Sequence, residues 1–142
     1  MQQTLCIIKP DGVRRQLMGP ILAKIKDAGL HVSALKMIHL SQKQAGAFYA
    51  VHAARPFYQE LCQSMTSGPV VVVVLEAADQ VIEKYRTLMG ATDPSKADKG
   101  TLRADFALSI GENTVHGSDS LENAKNEVAF FFATSEITNS LV

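Results

Sequence analysis

Apolar residues in the first forty positions follow strand spacing, then helix spacing, then strand spacing again. Residues 5–8 form a short apolar run that predicts a buried strand, and the K-P-D-G run at 9–12 predicts a turn after it. Residues 20–29 begin with proline, end with glycine and keep helical spacing between. Residues 30–40 alternate and then change phase, which predicts a strand with a bulge or a switch of buried face.

The middle of the chain predicts two helices followed by a buried strand. Ser41 and Gln44 match a capping box, so a helix is expected to begin there. A second helix is expected from Pro56. Residues 70–75 form a continuous β-branched run, too apolar for an edge strand that faces water, and this run predicts a central strand.

The next segment predicts a helix, a long loop and a short helix. Asp79 is the expected N-cap of a helix whose apolar side leaves Arg86 on another face or at its margin. Residues 90–100 are polar, rich in turn formers and without period, which is typical of a functional loop in so small a protein. Thr101 is expected to cap the short helix that follows.

The last third predicts a short strand and a terminal helix. The strand is expected near Val115, and Asp119 with Glu122 is expected to start the helix. Neither a repeat nor a linker interrupts the sequence, so residues 1–142 are expected to form one domain. Strands mixed with helices in this order predict an α+β fold, a sheet with helices packed against it.

Charge and cysteine content narrow the class of protein. The chain has 14 Lys and Arg residues and 14 Asp and Glu residues, so no overall attraction to nucleic acid or membranes is expected. Cys6 and Cys62 lie among apolar residues with no secretory leader before them, which predicts reduced core thiols and a cytoplasmic protein. No segment approaches the roughly 18 apolar residues that a membrane span needs.

The sequence lacks the glycine-rich loops that bind phosphate through backbone amides. Neither G-x-x-x-x-G-K-[ST] nor G-x-G-x-x-G occurs. If phosphates bind, side chains must donate the hydrogen bonds, and Lys9, Arg86, Thr92 and Arg103 stand at predicted strand ends, helix margins and loops. Each of them taken alone is weak evidence, because an isolated arginine at a helix margin is usually a solvated surface charge.

His116 differs from the other three histidines in its neighbours. Glycine follows it, and Asn113, Ser118 and Asp119 crowd the same stretch with polar groups. This context alone still favours a structural histidine over a reactive one. Metal-ligand spacings and the G-x-S-x-G elbow of serine nucleophiles are missing from the sequence.

Five motifs together give the sequence a family resemblance. In chain order they are K-P-D-G at 9–12, R-P-F-Y at 55–58, G-A-T-D-P at 90–94, G-T-L-R-A-D-F at 100–106 and N-T-V-H-G-S-D at 113–119. The sequence resembles the nucleoside diphosphate kinases over nearly its whole length. Tyr58 stands where the family often has a second phenylalanine, and this difference does not touch the chemistry.

The resemblance implies a fold, an activity and an assembly. The fold is a ferredoxin-like four-stranded antiparallel sheet with added helices. The activity is transfer of the γ-phosphate of a nucleoside triphosphate, typically ATP, to a nucleoside diphosphate by a ping-pong route through a phosphohistidine on His116, which maintains NTP and dNTP pools. The resemblance also implies nucleotide-bound Mg²⁺ and a homo-oligomer, either a tetramer or a hexamer.

The same resemblance assigns roles around His116. Glu127 is expected to hold one ring nitrogen and Ser118 to bond to that glutamate. The residues expected to contact the nucleotide or lie beside the histidine are Lys9, Arg86, Thr92 and Arg103 on the phosphates, Asn113 and Lys9 on the ribose, Phe57 on the base, Tyr49 beside the ring and Asp119 near the metal. Core packing is the alternative for Phe57 and Tyr49, and simple exposure is the alternative for Glu127.

Two other classes of protein share this kind of fold. One is a module that binds nucleotides without chemistry, and His116 beside Asn113, Ser118 and Glu127 argues against it because a binder has no need of that set. The other is an RNA-binding sheet, which displays clustered aromatics and a basic surface. Phe and Tyr total nine here, six and three, and the charge is balanced.

Overall fold

The computed structural model describes residues 1–138, so the last four residues of the predicted domain lie outside the described part. Its sheet has four strands in the order β2-β3-β1-β4, and every neighbouring pair is antiparallel. This is the ferredoxin-like α+β architecture that the resemblance implies. The strands are β1 (Gln2–Ile8), β2 (His31–Ile38), β3 (Val70–Ala77) and β4 (Val115–Gly117).

Helices cover both faces of the sheet, and this explains the apolar runs of the central strands. Leu5 and Ile7 of β1 face one apolar cluster, whereas Cys6 and Ile8 face the other. A strand with both faces buried carries apolar residues without alternation. The helices are α1 (Pro10–Arg14), α2 (Met18–Asp27), α3 (Gln42–Phe48), α4 (Tyr58–Met65), α5 (Val81–Met89), α6 (Leu102–Phe106) and α7 (Leu121–Phe131).

The change of phase in β2 is a bulge, as predicted. The pairing of β2 with β3 shifts register between Val32 and Ala34. Val32, Leu35 and Met37 are exposed, so this edge strand presents apolar side chains to its surroundings.

The predicted turn at K-P-D-G is wrong, because Pro10 begins the helix α1. Proline is favoured at a first helical position, where its missing N–H has no partner to lose. Gly12 lies inside α1, and a Cβ there would meet Ile8 Cγ2 at 2.9 Å and Thr114 Cγ2 at 3.0 Å. The helix therefore packs directly on the segment that precedes β4. Lys9 lies directly after the last residue of β1, at the strand end where it was expected.

Two of the predicted helix caps are confirmed. The Gln44 main-chain N–H donates to Ser41 Oγ at 3.1 Å, and the Ser41 main-chain N–H donates to Gln44 Oε1 at 2.9 Å. Thr101 Oγ1 accepts from the main-chain N–H of Ala104 at 3.3 Å. The second of the two middle helices begins at Tyr58, two residues after the predicted Pro56.

The other two predicted caps are wrong. Asp79 does not cap α5, because Gln2 Oε1 of β1 accepts the Val81 main-chain N–H at 3.1 Å. The N-cap of α7 is Ser120, whose Oγ accepts from the main-chain N–H of Asn123 at 3.0 Å, and not Asp119. In each case an oxygen of another residue accepts the hydrogen bond from a free main-chain N–H in the first turn of the helix.

Both cysteines are free and buried, as predicted. None of the helices described is long and apolar enough to span a bilayer. The cytoplasmic location stays a prediction.

Candidate functional site

His116 lies in the middle of β4, with its ring tied to helix α7. The distance between its Nε2 and Glu127 Oε1 is 2.6 Å. Nδ1 has no hydrogen-bond partner among residues 1–138. The carboxylate therefore orients the ring and leaves Nδ1 free, with a lone pair when Nε2 bears the proton.

Ser118 connects this pair to the centre of the sheet. Its hydroxyl donates to Glu127 Oε1 at 3.2 Å and accepts the Leu5 main-chain N–H at 3.2 Å. Ser118 is 1% exposed, so neither bond competes with bulk water. A central strand thus positions the serine, the serine positions the glutamate, and the glutamate positions the imidazole.

Gly117 explains why glycine follows the histidine. A Cβ at this position would meet Met89 Cε at 2.7 Å and Tyr85 Cδ2 at 2.8 Å, both on α5. Neighbouring strand residues point to opposite faces, so this contact lies on the side of the sheet away from the imidazole. The glycine allows α5 to pack closely behind β4.

Lys9 and Asn113 meet beside β4. Lys9 Nζ donates to Asn113 Oδ1 at 2.8 Å, and the Lys9 main-chain N–H donates to the carbonyl oxygen of Thr114 at 2.8 Å. Burial and then the charge of the nearby Arg103 lower the pKa of Lys9, Asp11 opposes the shift, and the pKa is about 8 as a result. A partly desolvated cation therefore lies beside the segment that leads into β4, the strand of His116.

Arg103 is buried to 9% exposure and connects the C-terminal end of α5 to β4. Its Nη1 donates to the carbonyl oxygen of Gly90 at 3.1 Å, and its Nη2 donates to that of Val115 at 2.9 Å. Its buried Nε has no partner in the part of the chain that the structure describes. Burial lowers its pKa, and the remaining N–H groups of the guanidinium are available to an anion.

Two aromatic side chains lie near the histidine: Phe48, the last residue of α3, and Tyr49, which follows it. Phe48 packs edge-on against the His116 ring with centroids 5.7 Å apart, and edge-on against Tyr49 at 4.9 Å. The Tyr49 hydroxyl is buried without a hydrogen-bond partner within residues 1–138. Burial, and then the charge of Glu127, raise the pKa of Tyr49. Phe48 was not singled out by the sequence, which shows only that it shares a helix side with Tyr49.

The remaining predicted residues are exposed. Phe57 is 47% exposed, which removes core packing as its explanation, and its ring centroid lies 5.5 Å from that of His52. Arg86 and Thr92 are exposed, without a described hydrogen bond or ion pair to the His116 and Glu127 pair. Asp119 is exposed and accepts a hydrogen bond from Asn123 Nδ2 at 2.5 Å.

The candidate site is recognised by its chemistry and not by its volume. Two cavities, of 390 and 380 Å³, are lined elsewhere, one by Val128 and Phe132 among others and one by Tyr58 and Cys62 among others. Within residues 1–138, no three His, Cys, Asp or Glu side chains are grouped to hold a metal ion. The strand β4 carries a free imidazole nitrogen, and the cations Lys9 and Arg103 contact β4 or the residues just before it, an arrangement suited to attack on a phosphoryl group.

Comparisons of sequence with known proteins agree on one family. The family model described as nucleoside diphosphate kinase matches residues 2–137. A nucleoside diphosphate kinase of Helicobacter acinonychis is 59% identical over 135 residues, 95% of this chain and 98% of that protein. One of Campylobacter fetus is 59% identical over 137 residues, 96% of this chain and 99% of that protein.

Comparisons of structure agree with them. The nucleoside diphosphate kinase of Aquifex aeolicus superposes with a TM-score of 0.93 at 41% identity, covering 96% of this chain and 99% of that one. That of Encephalitozoon cuniculi superposes with a TM-score of 0.92 at 32% identity, covering 99% and 95%. Similarity of this extent in sequence and structure shows shared ancestry along the whole described chain.

Proposed function

Because the chain belongs to the nucleoside diphosphate kinase family, we propose that His116 is the residue that accepts the phosphoryl group and passes it on. The chain is a phosphotransferase that acts on nucleotides, and the proposal concerns how its residues do so. The observation that supports it best is the 2.6 Å contact between His116 Nε2 and Glu127 Oε1, which leaves Nδ1 as the free nucleophilic atom. One catalytic domain over residues 1–142 is part of the proposal.

The reaction runs in two balanced halves. The lone pair of His116 Nδ1 forms a bond to the γ-phosphorus of a triphosphate, and the bond from that phosphorus to the β–γ bridging oxygen breaks, which releases the diphosphate. The phosphorylated ring, still protonated on Nε2, is positively charged, and Glu127 lies where it stabilises that charge. A terminal oxygen of a second diphosphate then attacks the phosphorus, and Nδ1 takes back its electron pair.

Cationic donors lower the barrier by neutralising the charge that spreads over the transferring oxygens. Lys9 is half-buried and Arg103 is buried near β4, and both are suited to this role because their interactions with an anion are weakly screened there. Arg86 and Thr92 stand exposed at the end of α5 and in the loop after it, where they would complete the set around the phosphates. The neutral overall charge of the chain is compatible with such a local arrangement.

Other contacts would hold the rest of the nucleotide. The Asn113 side chain accepts from Lys9 through Oδ1, which leaves its amide N–H groups to bond a ribose hydroxyl. The exposed Phe57 ring offers a face on which any base stacks, and this favours a broad substrate range. The unpartnered Tyr49 hydroxyl lies beside the histidine and has a free hydrogen bond to offer.

Magnesium fits this site as an ion that arrives on the nucleotide. Mg²⁺ favours phosphate and carboxylate oxygens, and the exposed Asp119 carboxylate stands three positions after His116. When bound, the ion would neutralise charge on the phosphate oxygens. Lys9 and Arg103 act on the same oxygens from the protein side.

A homo-oligomer, a tetramer or a hexamer, is part of the proposal. Its support is the edge strand β2, where Val32, Leu35 and Met37 are exposed on a strand that lacks a neighbour on one side within the described chain. Such an edge strand is suited to contact a second copy of the chain. The C-terminal sequence at 137–142 does not distinguish the two assemblies, and residues 139–142 lie outside the described residues.

The test of the proposed route separates its two halves. The protein is incubated with ATP, freed of nucleotide on a desalting column, and then given GDP alone. We expect GTP to form in an amount no greater than that of the protein, because the phosphoryl group waits on the enzyme between the halves. Formation of GTP only when ATP and GDP are present together would contradict the covalent route.

The lowered pKa of Lys9 predicts an alkaline limit on turnover. We expect kcat/KM for nucleotide to fall as pH rises past about 8, because the ammonium group then loses the proton that makes it a phosphate ligand. The value of kcat should stay constant to higher pH, since the negative charge of bound phosphates keeps Lys9 protonated. The measurement is a pH profile from 6 to about 10 on wild type and Lys9→Arg, whose guanidinium stays charged. The same alkaline fall in both would show that another group causes it.

A further inference from the structure

Both peptide units that flank His116 are tied by side chains from outside β4. The carbonyl oxygen of Val115, before it, accepts from Arg103 Nη2 at 2.9 Å. The carbonyl oxygen of His116 itself lies 3.3 Å from the hydroxyl of Tyr85, which donates to it. Because a peptide unit is planar, fixing these two carbonyls fixes the Cα of His116 and the direction in which its side chain leaves the strand.

Tyr85 belongs to α5 and is fully buried. Its hydroxyl also lies 3.0 Å from Cys6 Sγ, on the strand β1 that pairs with β4. Burial raises the pKa of Cys6 to about 12, so the sulfur keeps its proton. The phenol has one proton and two neighbours that can accept it, Cys6 Sγ and the His116 carbonyl oxygen. The carbonyl can only accept, whereas the thiol can also donate, so when the phenol proton goes to the carbonyl the thiol donates to the phenol oxygen.

The strand that Tyr85 contacts is short and lies at the edge of the sheet. β4 has three residues and pairs with β1 alone among the described strands. The Tyr85 ring lies where a Cβ on Gly117 would stand, 2.8 Å from both Cδ2 and Cε2, so it backs the peptide unit after His116 directly. A short edge strand without such backing is free to twist, and the imidazole would twist with it.

We propose that Tyr85 is a positioning residue for phosphoryl transfer, in which its hydroxyl, supported by the Cys6 thiol, fixes the His116 peptide unit so that Nδ1 meets the phosphorus in line. The proposal rests on the proposed role of His116. It differs from a packing role, in which the Tyr85 ring fills the core and the hydroxyl is incidental. A misaligned nucleophile loses rate without losing nucleotide affinity.

Tyr85→Phe separates these roles, because it removes the hydroxyl and keeps the ring. We expect the single-turnover rate of enzyme phosphorylation by ATP to fall about fivefold, which is ~1 kcal/mol at about 1.36 kcal/mol per tenfold in rate. The KM for nucleotide should stay within about twofold of wild type. The matched control is Tyr58→Phe, which removes a hydroxyl that donates to the Gly46 carbonyl at 3.0 Å and should leave the rate unchanged.

The Cys6 pair of variants provides a second route that does not depend on the folding of Tyr85→Phe. Cys6→Ser keeps a donor to the phenol and should retain the wild-type rate, whereas Cys6→Ala removes it and should slow phosphorylation. Equal rates in Cys6→Ala and Cys6→Ser, an unchanged rate in Tyr85→Phe, or an equal loss in Tyr85→Phe and Tyr58→Phe would each overturn the positioning role. A wild-type chain that is not phosphorylated on His116 would instead overturn the role of the histidine itself.

Discussion

Replacing His116 with alanine is expected to abolish phosphoryl exchange, with a loss on the order of 10⁴-fold or more. The variant lacks the only atom that the proposed route uses to form a bond to phosphorus. Nucleotide affinity should be largely retained, because in the proposed route Lys9 and Arg103 hold the phosphates and the ring acts mainly in the chemical step. Exchange from ATP to GDP measures the first quantity, and a direct binding titration with ADP measures the second.

His31→Ala is the matched control for that experiment. His31 is exposed on β2, so its removal should change neither exchange nor binding. Exchange by His116→Ala within a hundredfold of wild type would show that a different group receives the phosphate. Loss of ADP binding together with exchange would show that the ring acts in affinity.

Arg103→Ala is expected to lower kcat by roughly 10² to 10³-fold, as does the loss of a preorganised donor to developing negative charge. The change removes a buried cation and also releases the Gly90 and Val115 carbonyls that the guanidinium holds. Arg103→Lys keeps the charge but lacks the planar fork, so it should recover part of the rate. Steady-state kinetics with ATP and a varied diphosphate measure both variants.

Arg15 offers the control for this second experiment. Its Nη1 also donates to a main-chain carbonyl, that of Phe106 at 2.6 Å, but on an exposed surface at the end of α6. Arg15→Ala should therefore leave kcat unchanged. Wild-type kcat in Arg103→Ala would show that this guanidinium serves the fold and not the transition state.

Most of the fold was predictable because its strongest signals are local. The β-branched run of β3 and the apolar run of β1 fall on the two central strands, where both faces are buried. Ser41 and Thr101 cap their helices through atoms only three residues away. The change of phase in residues 30–40 marks a real bulge.

The errors occur where a distant residue takes over a local role. Asp79 has the chemistry of an N-cap, but Gln2, 79 residues from Val81, reaches the first turn of α5. A pattern among neighbouring residues cannot reveal a bond between residues so far apart in the sequence. The K-P-D-G run failed for a different reason, because proline suits a turn and a first helical turn equally well, and packing against Thr114 favours the helix here.

The candidate site was predictable only through the family motifs. Lys9 and Asn113 are 104 residues apart in sequence and 2.8 Å apart in space, and only the sheet brings them together. Local context favoured a structural role for His116, whose partner Glu127 lies one helix later. Tyr85 and Phe48 escaped notice because an aromatic at helical spacing is ordinarily core, and their contacts with β4 and the imidazole depend on tertiary packing.

The most direct test of the proposed function is to identify the residue that becomes phosphorylated. The folded protein is incubated briefly with γ-³²P-labelled ATP, separated from nucleotide, and its phosphate is tested for acid and alkali stability and assigned to a residue by peptide mapping. We expect an acid-labile, alkali-stable phosphate on His116 that is discharged by added diphosphate. A folded protein that takes up no label, or an acid-stable phosphate on a residue such as Ser118, would contradict it.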